Sequence, residues 1–131
     1  MNVAVGLGLL AAMMYVRSWY MSTPEGRVKD SVKKTLTRFG VYYFMPVQTG
    51  YGKPGLDFHC ILYGKAFCVE TKAPGKKLTP RQEITKKEIE ASGAPVFVIG
   101  ERELSVELQT ASGWKFSGEP ELEVWLLGLT S

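Results

Sequence analysis

The chain has 131 residues and a mass of 14.5 kDa, enough for one hydrophobic core and one site and too short for two ordinary domains. Apolar residues at 45% and charged residues at 22% exclude wholesale disorder and collagen-like repeats; two cysteines without CxxC spacing and a single histidine exclude a disulfide scaffold and a four-ligand His/Cys zinc site. The net charge is only +3, but Lys and Arg gather in 27–38 and 72–87 while residues 101–131 are net acidic, a pattern that suits a polyanionic partner and equally a set of solvated helix faces.

Met1–Tyr20 is an apolar leader with an uncharged run over Val3–Val16, shorter than the ~20 residues of a spanning helix and without the basic start and cleavage site of a secretory signal. A core or interface helix, a weak membrane-associated segment and an extension upstream of a start at Met21 all remain open for it. The domain proper is expected over 21–131, with its core in 23–100.

Thr23-Pro24-Glu25 combines an N-cap, a proline at the first helical position and a first-turn carboxylate, predicting a helix over 24–39 closed by Gly40. Val28, Val32, Leu36 and Phe39 form its apolar stripe, with Lys29, Lys33, Lys34 and Arg38 off it and Glu25 at its core-facing end. A strand is expected over Val41–Val47, then a glycine-rich loop, Thr49–Gly55. Leu56–Tyr63 and Ala66–Ala73 read as two strands joined hairpin-fashion through Gly64-Lys65. Alternation puts Asp57, His59 and Ile61 on one face of the first; in the second, Cys68, Glu70 and Lys72 share a face, and Phe67, Val69 and Thr71 the other. After the basic loop Pro74–Leu78, Thr79-Pro80-Arg81-Gln82 opens a helix as a capping box; it runs to about Ala91 and stops at Gly93. Ala94–Ile99 reads as a buried strand, 104–109 as a strand or short helix, Ser112-Gly113 as a turn and Glu121–Leu127 as an amphipathic closing helix. The order α-β-β-β-α-β predicts one compact α/β domain with a central mixed sheet flanked by helices.

Hairpin pairing brings Asp57 towards Glu70 and Lys72. Two carboxylates and a carbonyl, that of Thr71, suffice to hold a hard divalent cation, which neutralises phosphoryl oxygens and acidifies water. A lysine two residues beyond the glutamate orients or deprotonates that water, and its ammonium stabilises charge on phosphate. The bland alternative is a solvated cross-strand Glu70/Lys72 pair with Asp57 as a turn residue; the apolar neighbours Phe67, Cys68 and Val69 weigh against it, because unpaired charges in a central strand are costly.

Four ordered pieces, Gly50-Tyr51-Gly52-Lys53-Pro54-Gly55, Asp57, Glu70-Thr71-Lys72 and Leu78-Thr79-Pro80-Arg81-Gln82, resemble the virus-type replication-repair nuclease family, a branch of the PD-(D/E)xK superfamily common in phages. The resemblance implies a restriction-endonuclease-like fold and a DNA endonuclease dependent on Mg²⁺ or Mn²⁺, with Asp57 and Glu70 as ligands and Lys72 as catalytic lysine. It further implies that Glu25 completes the acidic set, directly or through water, and that Gln82 supports the site. Leu56 stands where the family usually has proline. Stand-alone members suggest branched DNA such as Holliday junctions cut by a homodimer, since two symmetric cuts need two single-site subunits. A cytoplasmic location follows, the host cytoplasm for a phage protein.

Lys53, Lys76, Lys77 and Arg81 are candidate phosphate contacts, while Lys86 and Lys87 read as solvated helix charges. His59 reads as a partly buried structural histidine before a water or substrate contact. Tyr42, Tyr43, Phe44 and Tyr51 are candidate base-stacking rings, though packing explains most aromatics at this density, and Trp114 and Trp125 read as structural or interfacial. The competing functions are a non-catalytic nucleic-acid-binding module on the same fold and a membrane-tethered interaction protein resting on Met1–Tyr20.

Overall fold

The structure, a computed structural model, describes residues 23–47, 52–104 and 113–131. The leader, Tyr51 and nearly all of the element expected at 104–109 lie outside the described residues, as does Ser112. The chain forms α1 (Pro24–Arg38), β1 (Tyr42–Phe44), β2 (Phe58–Leu62), β3 (Lys65–Thr71), α2 (Pro80–Ala91), β4 (Val96–Ile99) and α3 (Glu119–Thr130). The strands lie in the order β1-β2-β3-β4; the first two pairings are antiparallel and β3–β4 is parallel. A parallel neighbour requires a crossover, and α2 supplies it. The protein is thus an α/β domain with a four-stranded mixed sheet and three helices.

Local chemistry sets the helix starts. Thr23 Oγ1 accepts from Gly26 N at 3.0 Å, and Thr79 Oγ1 accepts from Gln82 N at 3.2 Å while Gln82 Oε1 accepts from Thr79 N at 3.0 Å. Both caps satisfy amides that the first turn leaves without helical partners. The stripe Val28, Val32 and Leu36 is buried against the side of the sheet that carries Phe58, Cys60, Leu62, Phe67 and Val69, and α3 adds Leu122 and Leu126 to the same core. Phe67 sits 4.8 Å from the Trp125 ring and 6.1 Å from that of Phe97, both edge-on, an arrangement favoured by the ring quadrupoles. Trp125 is therefore structural. Trp114 is tied down as well, its Nε1 donating to Glu123 Oε2 at 2.8 Å.

Several element ends move, α3 running over Glu119–Thr130 where Glu121–Leu127 was expected, and two of the shifts have a clear local cause. β1 covers Tyr42–Phe44 and not the whole of 41–47, because the Val41 amide donates to Leu36 O at 2.9 Å to close α1 and Pro46 has no N–H for a ladder. The hairpin turns at Tyr63-Gly64 and not at Gly64-Lys65: φ is +50° at Tyr63 and +75° at Gly64, the paired left-handed conformation of a two-residue hairpin, and Lys65 already pairs with Leu62.

Where β3 ends, Lys72 N donates to Ile99 O at 2.8 Å, and Gly100 (φ +96°) packs so closely that a Cβ there would lie 2.1 Å from the Lys72 carbonyl oxygen. Gly100 N donates to Ser117 O at 2.9 Å, and the Gly100 carbonyl accepts from Gly75 N at 3.1 Å, so one glycine joins β4, the loop after β3 and the approach to α3. Gly100→Ala combines a forbidden φ with a backbone collision and is expected to destabilise the fold by more than ~2 kcal/mol. Urea unfolding checks this, and an unchanged midpoint would contradict the packing at this junction.

Candidate functional site

The register of β2 and β3 builds the site. The last ladder pair is Phe58↔Val69, and one further antiparallel step sets Asp57 opposite Glu70. Phe58 and Val69 face the core, so alternation turns Glu70 to the other side of the sheet, while Asp57, the bend residue ahead of β2, sits at the end of the ladder within reach of both faces. Both line a cleft of about 1080 Å³ between the β1–β3 face and α2. Phe44, His59 and Cys68 continue its wall, Gln82 and Thr85 come from α2, and Gly52–Leu56 form part of the rim.

Asp57 is braced by its neighbour across the sheet. Thr71 donates to Asp57 Oδ2 twice, from Oγ1 at 2.6 Å and from its amide at 2.9 Å, and Lys29 Nζ on α1 lies 3.8 Å from Oδ1. Burial raises the pKa of Asp57, but the Thr71 hydroxyl and amide, then Glu70 and Lys29, outweigh it and hold the carboxyl below its ordinary 3.8. Glu70 is driven the opposite way. It is 3% exposed, and burial first, then its hydrogen bond to Asp57 and that group's charge, push it up to about 8 against a smaller opposing pull from Lys72. Gln82 Nε2 donates to Glu70 Oε1 at 3.4 Å while the same amide's oxygen closes the α2 capping box, so the helix cap aims the side chain at the carboxyl. The result is one ionised carboxylate beside one protonated carboxyl.

Asp57, Glu70 and Gln82 thus come together as expected. Lys72 is half-buried just beyond β3, close enough for its charge to favour the Glu70 carboxylate. The Thr71 amide points at Asp57, and in an extended strand a residue's carbonyl leaves on the same side as its amide, so the Thr71 carbonyl also faces the β2 edge. Glu25 is not brought in. It sits half-exposed in the first turn of α1, and among the described residues no three of His, Cys, Asp and Glu gather where they could hold a metal ion. Lys29, one turn or ~6 Å further along the helix, is the α1 side chain that reaches Asp57.

Arg81 is exposed at the cleft rim, whereas Lys76 and Lys77 are exposed outside it. Lys53 is on the rim and pairs with Glu88 on α2 at 3.2 Å, an exposed contact worth little. Lys86 pairs with Glu90 one turn along α2, as a solvated helix charge would. His59 Nε2 accepts from Leu56 N at 3.2 Å, which leaves the proton on Nδ1, 3.6 Å from Cys68 Sγ. Burial also holds the imidazole below its ordinary pKa, so His59 is a neutral structural group pinning the loop before Asp57. Both cysteines are buried and free, and burial pushes Cys60 up to about 12 and Cys68 up to about 11, so both stay thiols.

Lys29 was not foreseen at the site, and Thr71 was expected for its carbonyl and not for the hydroxyl and amide that hold Asp57. Lys29 reads as solvent-facing because it lies off the apolar stripe. Thr71 offers a signal: a hydroxyl in line with Phe67 and Val69 on a core face must find a partner, and here it finds Asp57.

The donor set fits a hard divalent cation: Asp57 is held ionised, Glu70 is kept protonated by burial, its hydrogen bond to Asp57 and that neighbour's charge, and a backbone carbonyl points the same way. Compared with known proteins, the chain matches no family model, no curated protein and no solved structure.

In metal-free protein the raised pKa of Glu70 has a signed consequence. The folded chain keeps a proton that the unfolded chain releases near 4.5, so stability from this group is complete below that pH and declines as pH rises towards about 8. Asp57 acts oppositely, losing its contribution as pH falls below its ordinary 3.8. Urea midpoints in chelator are therefore expected to fall between pH 5 and 8.5, and Glu70→Gln to flatten that decline. An equal decline in the variant would place its source elsewhere.

Proposed function

We propose that the protein is a metal-dependent endonuclease of the PD-(D/E)xK type that hydrolyses phosphodiester bonds in DNA. The observation that carries this reading is the facing pair Asp57 and Glu70 on the floor of an open cleft, one ionised and one forced to hold a proton, with Lys72 beside them. Like charges directly opposite on a sheet are destabilising, so a fold that buries such a pair stores an affinity for cations. The arrangement of β3 at the sheet centre, α1 on the core side and α2 over the cleft also supports the restriction-endonuclease-like architecture that the motif run resembles.

Asp57, Glu70 and the Thr71 carbonyl would hold Mg²⁺ or Mn²⁺. Bound there, the ion supplies charge neutralisation at the phosphate and a more acidic water. Two carboxylates are sufficient, because Mg²⁺ keeps several waters and takes further oxygens from substrate phosphate. Thr71 and Lys29 keep Asp57 ionised and fixed. Gln82 orients Glu70. Lys72 donates hydrogen bonds to the attacking water or a phosphate oxygen and balances the charge that builds there. Arg81 and Lys53 at the rim, with Lys76 and Lys77 in the preceding loop, supply sequence-independent phosphate contacts. A branched-DNA preference and a homodimer rest on the motif resemblance and belong to the same proposal.

Incubation with linear, flap and four-way-junction DNA tests it. Cleavage is expected with Mg²⁺ or Mn²⁺ and none in chelator, with Asp57→Asn and Lys72→Ala slowed by at least ~100-fold while urea unfolding shows both still folded. Cleavage that persists unchanged in chelator, or in both variants, would sink the mechanism.

A further inference from the structure

The face of β1 that borders the cleft carries exposed aromatic side chains. Tyr42 is 67% exposed and Phe44 52%, and their spacing of two puts both rings on one face, ~7 Å apart along the strand. Cross-strand pairing places Phe44 beside His59 and Tyr42 beside Ile61, which is itself half-exposed. Phe44 lines the same cleft as Asp57 and Glu70, with His59 between. Its ring lies 5.4 Å from the His59 ring at a tilt of 31°, and His59 is anchored by the Leu56 amide, so one side of Phe44 rests on a fixed neutral support while half of the residue stays open. The row Phe44–His59–Cys68 is one two-residue step, ~7 Å, from the Asp57–Glu70 row. That is about the span from a phosphate to the base attached to its sugar.

The cleft's volume, about 1080 Å³, is of the order that encloses one ligand of moderate size, room for a nucleotide or two. Exposed aromatic rings at one-nucleotide spacing, leading away from a phosphate-handling centre, form a stacking track for successive unpaired bases. The track is continuous with the carboxylate site, and Arg81 and Lys53 on the rim complement a polyanionic strand. Resting on the nuclease reading, we propose that the substrate enters as an unpaired strand, with bases stacked on Phe44 and then Tyr42 and the adjoining phosphate delivered to Asp57 and Glu70. Frayed ends, flaps and splayed junction arms present such a strand, and an uninterrupted duplex does not.

The test separates binding from cutting. In an Asp57→Asn background without divalent cation, fluorescence anisotropy compares a labelled single-stranded oligonucleotide with the same sequence as duplex, for Phe44, Phe44→Ala, Phe44→Trp and Tyr42→Ala, with Val124→Ala on α3 as an exposed apolar control. Phe44→Ala is expected to weaken single-strand binding roughly tenfold or more with little change for duplex, Phe44→Trp to restore it, and Tyr42→Ala to lose less. In the otherwise unchanged chain with Mg²⁺, Phe44→Ala should slow cleavage of a flap more than of a nicked duplex. Equal single-strand affinity in Phe44→Ala overturns the inference, and so does a lost self-association in that variant with DNA binding intact, which would make the face a contact between two copies. If the unaltered chain cuts flap and duplex alike and Phe44→Ala changes neither, the inference fails and the nuclease reading stands; if nothing is cut with either metal, the nuclease reading fails whatever the binding shows.

Discussion

The pairing register of β2 and β3 is the constraint on which the site depends. It sets two acidic side chains opposite each other at the end of a ladder, where both line the cleft. Neither can move far, because Phe58 and Val69, the adjacent pair, are locked into the core. The conflict is resolved by asymmetry. Thr71 gives Asp57 two hydrogen bonds and keeps it ionised, and burial then leaves Glu70 to hold the proton. Such a pair is poised for a positive charge, and the cleft above it leaves room for one to arrive with a phosphate.

The two sides of the sheet divide the work. On one, α1 and α3 close over Phe58, Phe67, Val69 and Ile99, with Phe67, Phe97 and Trp125 in edge-on contact. Close packing there makes the register costly to shift, since a slip of one residue would turn every buried side chain outwards. On the other side α2 stands off the sheet, burying only Thr85 of its own residues, and so a cleft remains. Helix α2 is tied to the site at its start: the capping box holds the Gln82 amide with its oxygen towards the helix start and its nitrogen towards Glu70. One side chain therefore stabilises the helix and orients the acid.

The third helix is joined to the site through backbone. Ser31 and the Lys115 amide, at 3.0 Å, donate to the buried Glu119, Arg38 pairs with Glu123, and the Ser117 hydroxyl accepts from Arg102 N at 2.9 Å. These contacts seat the segment before α3 against Gly100, whose missing side chain lets the Lys72 carbonyl approach. The lysine of the candidate site thus owes its position to a glycine just beyond another strand and a serine ahead of another helix.

The amino-acid sequence alone determined the starts of α1 and α2, the two-residue alternation and hence the faces: Thr23-Pro24 and Thr79–Gln82 are local signals, and Asp57, Glu70 and Lys72 share a side under any register differing by an even number of residues. It did not determine which of them meet. A two-residue turn at Gly64-Lys65 would set Asp57 opposite Lys72, an ordinary salt bridge; the turn at Tyr63-Gly64 slides the pairing by two and sets it opposite Glu70. Faces survive such a slide because the side-chain period is two, and partners do not. Lys29 reaching Asp57, Glu25 staying outside the acidic pair and β1 ending at Phe44 were likewise decided by where α1 docks and which amides its end consumes. Periodicity along a chain fixes direction, and only the packing of one element on another fixes distance.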